Sequence, residues 1–305
     1  MIYPFEVALP SGLSFWVREL NTAEQKAIIK SILVTQNQNH QTEFLKSFRK
    51  IISNCISNPD DLNSITIIEY LLLCLKIAAV SFGANKSIFY NDTDPQTNEP
   101  IQVKYDFNIP TLIHKIYELS TLHSFVPVIL ENKTTDLIFR LGWPKLSHEE
   151  EFYNIKIEEK DFLSKSLDIL GFFIHSINHN PTEPNIVEQI PANISSQISN
   201  QVFASLNVLS SHNLFPVENV KFRLQLLNGG YSHLLQLVFN ENIHQIYQEI
   251  LVLAQSAKLD PNYIETIPEV ERKLFINLLK AQSQEKKNQE NEKESTPIPL
   301  ENQHA

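Results

Sequence analysis

Glycine is scarce in this chain, with six among 305 residues, against about 7% in an average protein. That scarcity argues against glycine-rich phosphate loops, doubly wound nucleotide folds and long β-meanders. Cysteine is nearly absent too. Cys55 and Cys74 are the two in the chain, and both fall on apolar helical faces. Two buried free thiols of a reducing cytoplasm are the expected state, ahead of a disulfide. An excess of basic charge is also missing: 25 Lys and Arg stand against 35 Asp and Glu, a net charge of −10. This is the wrong sign for a surface that coats nucleic acid, and no Lys/Arg cluster precedes the tail. The N-terminal MIYPFEVALP has no basic region leading into an apolar core, so no secretory signal is expected. The sequons at Asn91-Asp92-Thr93 and Asn132-Lys133-Thr134 then count as chance matches.

What the chain does have is one markedly apolar stretch, Thr66 to Gly83, TIIEYLLLCLKIAAVSFG. Between Ile67 and Val80 only Glu69 and Lys76 are charged, seven residues apart and so on one narrow line of a helix. A helix apolar around the rest of its circumference is a buried one. Thr66 as N-cap, Glu69 three residues on and Gly83 at the end complete a capping-box and C-cap pattern. The run is too short and too charged to span a bilayer.

Around it the pattern alternates between strands and helices. Phe5 to Leu9 and Ser14 to Arg18 alternate like strands on either side of Pro10-Ser11-Gly12, which predicts a β-hairpin. Thr22 caps a helix to about Leu33, and Phe44 to Cys55 carries a second amphipathic stripe. Ser87 to Tyr90 and Ile101 to Phe107 form a further candidate hairpin about the loop NDTDPQTNEP. A helix over Pro110 to Leu119 and strands at Phe125 to Ile129 and Asp136 to Leu141 follow. The second half reads as helical: Glu158 to Ile177, Ile186 to Leu209, Ser232 to Leu259 and Glu269 to Leu279. Val217 to Leu227 is ambiguous between strand and helix. The expected class is α+β, mainly helical, with an N-terminal β-hairpin, a C-terminal helical region and a disordered C-terminal tail. The expected domains are an α+β unit over 1–144, a helical domain over 145–280 and a tail over 281–305, disordered beyond about Lys287.

Candidate chemistry is sparse. His175 and His179 would share a helix face at i, i+4, the spacing of two zinc ligands, but Ser176 stands where a general-base glutamate is needed. Surface or partly buried histidines are the preferred reading. Glu149-Glu150-Glu151 and Glu158-Glu159 with Asp161 suit helix starts better than a catalytic pair. Asp92, Asp94, Asn98 and Glu99 lack the central glycine and terminal glutamate of a calcium loop. No catalytic residue, cofactor or metal ligand is therefore assigned, and no enzymatic activity is expected.

Three stretches together resemble the T4-type bacteriophage baseplate hub and hub-assembly family. They are Phe5 to Ile32, with Leu9-Pro10-Ser11-Gly12 and Val17-Arg18-Glu19-Leu20; Glu69-Tyr70-Leu71 through Ser81-Phe82-Gly83; and Tyr263 to Leu279, where a proline and Glu271-Arg272 precede a final helix. Many relatives carry Cys-x-x-Cys after the central helix. This chain has none there, so the resemblance brings no metal site. It implies a structural or assembly subunit of the central hub of a contractile-tail baseplate, acting by protein–protein contacts. On that reading it is located in the virion baseplate, or in the host cytoplasm during assembly.

The partners so implied are other baseplate hub and tail proteins, with homo-oligomerisation open and neither nucleic acid nor membrane involved. The interface residues proposed on this basis are Pro10, Ser11, Gly12, Trp16, Arg18, Glu271 and Arg272. The alternative is a non-enzymatic cytoplasmic helical adaptor or chaperone unrelated to phage tails.

Overall fold

A computed structural model describes residues 2–36, 41–93, 97, 99–122, 125–131, 136–155, 162–215, 222–228 and 230–294. Its contacts divide the chain into two compact units, residues 1–20 with 27–240 and residues 21–26 with 241–305. The division expected at 144 is not found. Residues on both sides of that point belong to one antiparallel sheet and cannot part without breaking it.

The first unit opens with β1 (Phe5–Ala8) and β2 (Ser14–Val17), paired antiparallel with Val7 opposite Phe15 and Glu6 opposite Trp16. Period-2 alternation turns Val7, Phe15 and Val17 into the core and leaves Glu6 and Trp16 outside. Helix α1 (Thr22–Gln36), whose residues from Ala27 onward belong to this unit, and α2 (Gln41–Ser53) follow, and α2 buries Phe44, Leu45, Phe48 and Ile52. Next comes α3 (Ile67–Phe82), on which Lys76 is exposed while residues from Ile67 to Leu75 are buried without a break. Its start is the expected capping box: Thr66 accepts from the Glu69 amide, and the Glu69 carboxylate accepts from the Thr66 amide.

Strands β3 (Asn85–Thr93) and β4 (Pro100–Asn108) form the second expected hairpin, longer than its apolar residues suggested. Asp94 and Asn98 of its loop lie outside the described residues. Helix α4 (Ile109–Thr121) begins at an Asn108 cap and buries Ile109, Leu112 and Ile116. A four-stranded antiparallel sheet then joins β5 (Val128–Leu130), β6 (Leu137–Leu141), β7 (Ile174–Ile177) and β8 (Asn180–Pro181) in that order. Pro181 sits on the edge strand, where its missing N–H costs no ladder bond.

Between β6 and β7 lie α5 (Glu149–Asn154) and α6 (Phe162–Gly171). The helix expected over Glu158 to Ile177 is corrected here. It ends at Gly171, and Ile174 to Ile177 pair with β6 as a strand, since two β-branched residues at either end suit the sheet. Residues 156–161, including Glu158, Glu159 and Asp161, lie outside the described residues. The unit closes with α7 (Ala192–Ser211) and α8 (Gly230–Phe239). Much of the ambiguous span at Val217 to Leu227 (217–221) is likewise outside the described residues.

The helix expected over Ser232 to Leu259 is two helices. Asn242 interrupts it, its side chain accepting from the amides of His244 at 3.0 Å and Gln245 at 3.3 Å as the N-cap of α9 (Ile243–Ser256). Helix α9 belongs to the second unit, with α10 (Pro261–Thr266), α11 (Glu269–Glu294) and residues 21–26. Ile246, Leu253, Ile264 and Ile267 are buried there. Helix α11 continues past Lys287 to Glu294, because its Gln, Glu and Lys are good helix formers. The rest of the expected tail, 295–305, lies outside the described residues.

Candidate protein-contact site

The N-terminal hairpin is held at both ends. At its turn the Leu9 amide donates to the Leu13 carbonyl at 2.8 Å and the Gly12 amide to the Leu9 carbonyl at 3.0 Å. Gly12 has φ 86°, a conformation that side-chain-bearing residues rarely adopt. The Ser11 amide donates to Glu69 Oε1 at 2.8 Å. One carboxylate thus caps α3 with one oxygen and grips the hairpin turn with the other. At the far end the Arg18 amide donates to the Cys55 carbonyl and the Ser57 amide to the Trp16 carbonyl, each at 2.9 Å. The hairpin therefore presents a fixed face.

That face carries apolar surface. Trp16 is 47% exposed there beside Glu6, whereas Phe5, opposite Val17, and Leu13, next to the turn, are exposed elsewhere on the hairpin. Pro10, Ser11 and Gly12 are exposed at the turn, and Arg18 is half-buried, its Nη1 donating to the Glu19 carbonyl at 2.7 Å. Beside the turn, Val7 to Pro10 with Leu72 and Lys76 of α3 and Pro110, Ile113, His114 and Tyr117 of α4 enclose a cleft of about 470 Å³. Five of the expected contact residues are thus gathered on one hairpin. The anchor, Glu69, had a sequence signal as the only acid of the central helix, but its partner Ser11 did not.

Glu271 and Arg272 belong to the second unit and differ from each other. Glu271 is half-buried and accepts from the Tyr263 hydroxyl at 3.2 Å, and its charge pushes that phenol up from its ordinary value. Arg272 is 1% exposed, which corrects its expected place at a contact surface. Its Nε donates to Glu249 Oε2 at 2.7 Å and its Nη1 to Thr22 Oγ1 at 2.6 Å, while both Nη atoms reach Gln25 Oε1. A planar five-donor guanidinium satisfied on this many acceptors is an internal clamp.

The two histidines do not share a helix face. His175 lies in β7, half-buried, with Nε2 at 2.7 Å from the Trp143 carbonyl, and desolvation pushes its pKa down. His179 sits in the β7–β8 turn with φ 68°. Gly142 makes room for the His175 ring, since a Cβ there would stand 2.5 Å from Cε1. Among the described residues no three His, Cys, Asp or Glu side chains come together as metal ligands, and no helix is long and apolar enough to cross a membrane.

A mainly helical framework holds the N-terminal hairpin in place at its turn and at its far end. The chain belongs to the T4 bacteriophage base plate protein family, whose sequence profile matches residues 2–219, well over half its length. Its role is therefore that of a structural baseplate protein of a T4-like phage, located in the tail baseplate of the virion. The match covers the hairpin and the central helix, whereas Tyr263 to Leu279 lies beyond it. Neither a search of curated proteins nor one of solved structures returned a match.

Proposed function

We propose that the chain is a subunit or assembly factor of the central hub of a contractile-tail baseplate, and that it works without covalent chemistry. Its partners are other hub and tail proteins, met in the host cytoplasm during assembly. The observation that carries this reading is the exposed Trp16 on a hairpin pinned by Glu69 and by Cys55 and Ser57. Trp and Arg are enriched among residues that dominate binding energy, and a rigid face loses little entropy on docking. Pro10, Ser11, Gly12 and Arg18 complete the surface around Trp16.

The test is co-purification of the other tail proteins with Trp16→Ala and Arg18→Ala chains. Loss of one or more hub proteins from the complex, with the thermal transition of the free chain unchanged, supports the hairpin as the contact. Full retention of every tail protein by both variants would refute it.

A further inference from the structure

The two edges of the N-terminal hairpin differ. Next to its turn the Leu9 amide donates to the Leu13 carbonyl, so Leu9 faces β2. Residues of an antiparallel strand alternate between turning their backbone groups to the partner strand and turning them away. Along the register from Leu9, Val7 and Phe5 therefore face β2, while Ala8 and Glu6 point their N–H and C=O groups outward. The same alternation turns Trp16 outward on β2, and that edge is taken. Its carbonyl accepts from the Ser57 amide, and Val17 bridges Ile56. On β1 the outward backbone groups of Ala8 and Glu6 have no hydrogen-bond partner among the described residues.

The open edge borders the cleft of about 470 Å³ beside the turn. Val7, Ala8, Leu9 and Pro10 all line it, and among the described residues none of β2 does. Successive strand side chains point to opposite faces, so a wall made of consecutive residues is the strand's edge. Open pairing groups along an exposed edge are a template for another strand. The charge at the cleft selects what that strand carries. Lys76 is exposed and has no ion-pair partner among the described residues, whereas His114, the other basic group there, meets Glu118 at 3.1 Å. A carboxylate is the complement of Lys76, and Leu72 and Ile113 offer apolar contact next to it. A second copy of this chain fits poorly, since α4 lines the cleft beside each copy's own β1 and the space holds a few residues rather than a hairpin.

We propose that the free edge of β1 takes up an extended segment of a partner protein, its backbone paired with Ala8 and Glu6 and an acidic side chain on Lys76. The segment adds a strand to the hairpin, a mode in which main-chain bonds give affinity and side-chain contacts give specificity. This rests on the reading that the chain works by contacts with other tail proteins, and it names the form and charge of one partner segment.

The probe is a synthetic peptide of alternating valine and glutamate, titrated against the full chain by amide NMR. Saturable shifts of the Glu6 and Ala8 amides, with slowed exchange at Ala8, are expected. The same peptide with lysine for glutamate, or N-methylated so that its amides cannot donate, is expected to bind roughly tenfold more weakly or not at all. Ala8→Pro removes an N–H that makes no bond within the hairpin, so the thermal transition is kept and the binding lost. Lys76→Glu is expected to reverse the preference between the glutamate and lysine peptides. Absence of shifts in the parent, or equal binding of all three peptides, overturns the proposal. Self-association of the parent that Ala8→Pro abolishes also overturns it, by giving the edge to a second copy. Peptide binding by a chain that co-purifies with no tail protein supports the edge site and counts against the baseplate-contact reading alone. Co-purification without peptide binding does the reverse.

Discussion

The backbone amide of Ser11 donates to Oε1 of Glu69 at 2.8 Å across 58 residues of sequence. The other oxygen, Oε2, holds the Thr66 amide at 3.0 Å, so a single buried carboxylate joins helix start to hairpin turn. Glu69→Ala removes both bonds. It is expected to cost roughly 2–4 kcal/mol, the sum of a lost cap and a lost charge-assisted bond. Urea denaturation measures the loss, and faster proteolysis at the Leu9–Gly12 turn reports the released hairpin. Glu69→Gln keeps an acceptor and is expected to lose less.

Gly12 tests the turn from the backbone side. Nothing lies within 4 Å of where its Cβ would be, so Gly12→Ala meets no clash and pays only for φ 86°. The expected cost is about 1–2 kcal/mol, read from the denaturant midpoint. Gly12→Asn is expected to cost less, because asparagine tolerates positive φ.

Arg272 is expected to be the most sensitive position of the second unit. Arg272→Ala leaves Glu249 and Thr22 facing an empty guanidinium site, and breaking a buried ion pair costs about 3–5 kcal/mol. Hydrogen exchange of amides in α9 and α11 would show the loss as local unfolding. Arg272→Lys cannot reproduce the fork and is expected to recover only part of it.

Two groups shifted by desolvation give opposite pH slopes. Burial raises Glu149 above its ordinary 4.5, so the folded state binds a proton more tightly than the unfolded one. Its stabilising share is full below 4.5 and is lost as pH rises through the raised value. His175 is pushed below its ordinary 6.5 by burial, so its share is full above 6.5 and is lost as pH falls through the lowered value. Denaturant midpoints from pH 4.5 to 7 in the parent, Glu149→Gln and His175→Asn chains separate the two. The first variant is expected to lose the decline with rising pH, and the second the decline with falling pH.

Gly142→Ala probes the β6–β7 junction. The added methyl would stand 2.5 Å from His175 Cε1, so the ring must leave its bond to the Trp143 carbonyl. Loss of stability is expected, together with a His175 titration moved up toward its ordinary value as the ring meets water. Proton NMR of the imidazole across pH measures that move.

The sequence by itself determined the capping box of α3, its buried apolar surface, both hairpins and the phrases shared with the baseplate family. These depend on residues one to four positions apart, or on a period of two, and such spacing is visible in any linear reading. Tertiary structure alone decided what the charged residues of those phrases do. Glu69 is an anchor because Ser11 is brought to it, and Arg272 is an internal clamp because Thr22, Gln25 and Glu249 surround it. His175 sits in a strand because β6 offers it a pairing edge, although its neighbours have a helical stripe. The unit boundary falls at Asn240 instead of 144 because sheet pairing spans the earlier point. In each case the deciding partner lies tens to hundreds of residues away, and local periodicity carries no trace of it.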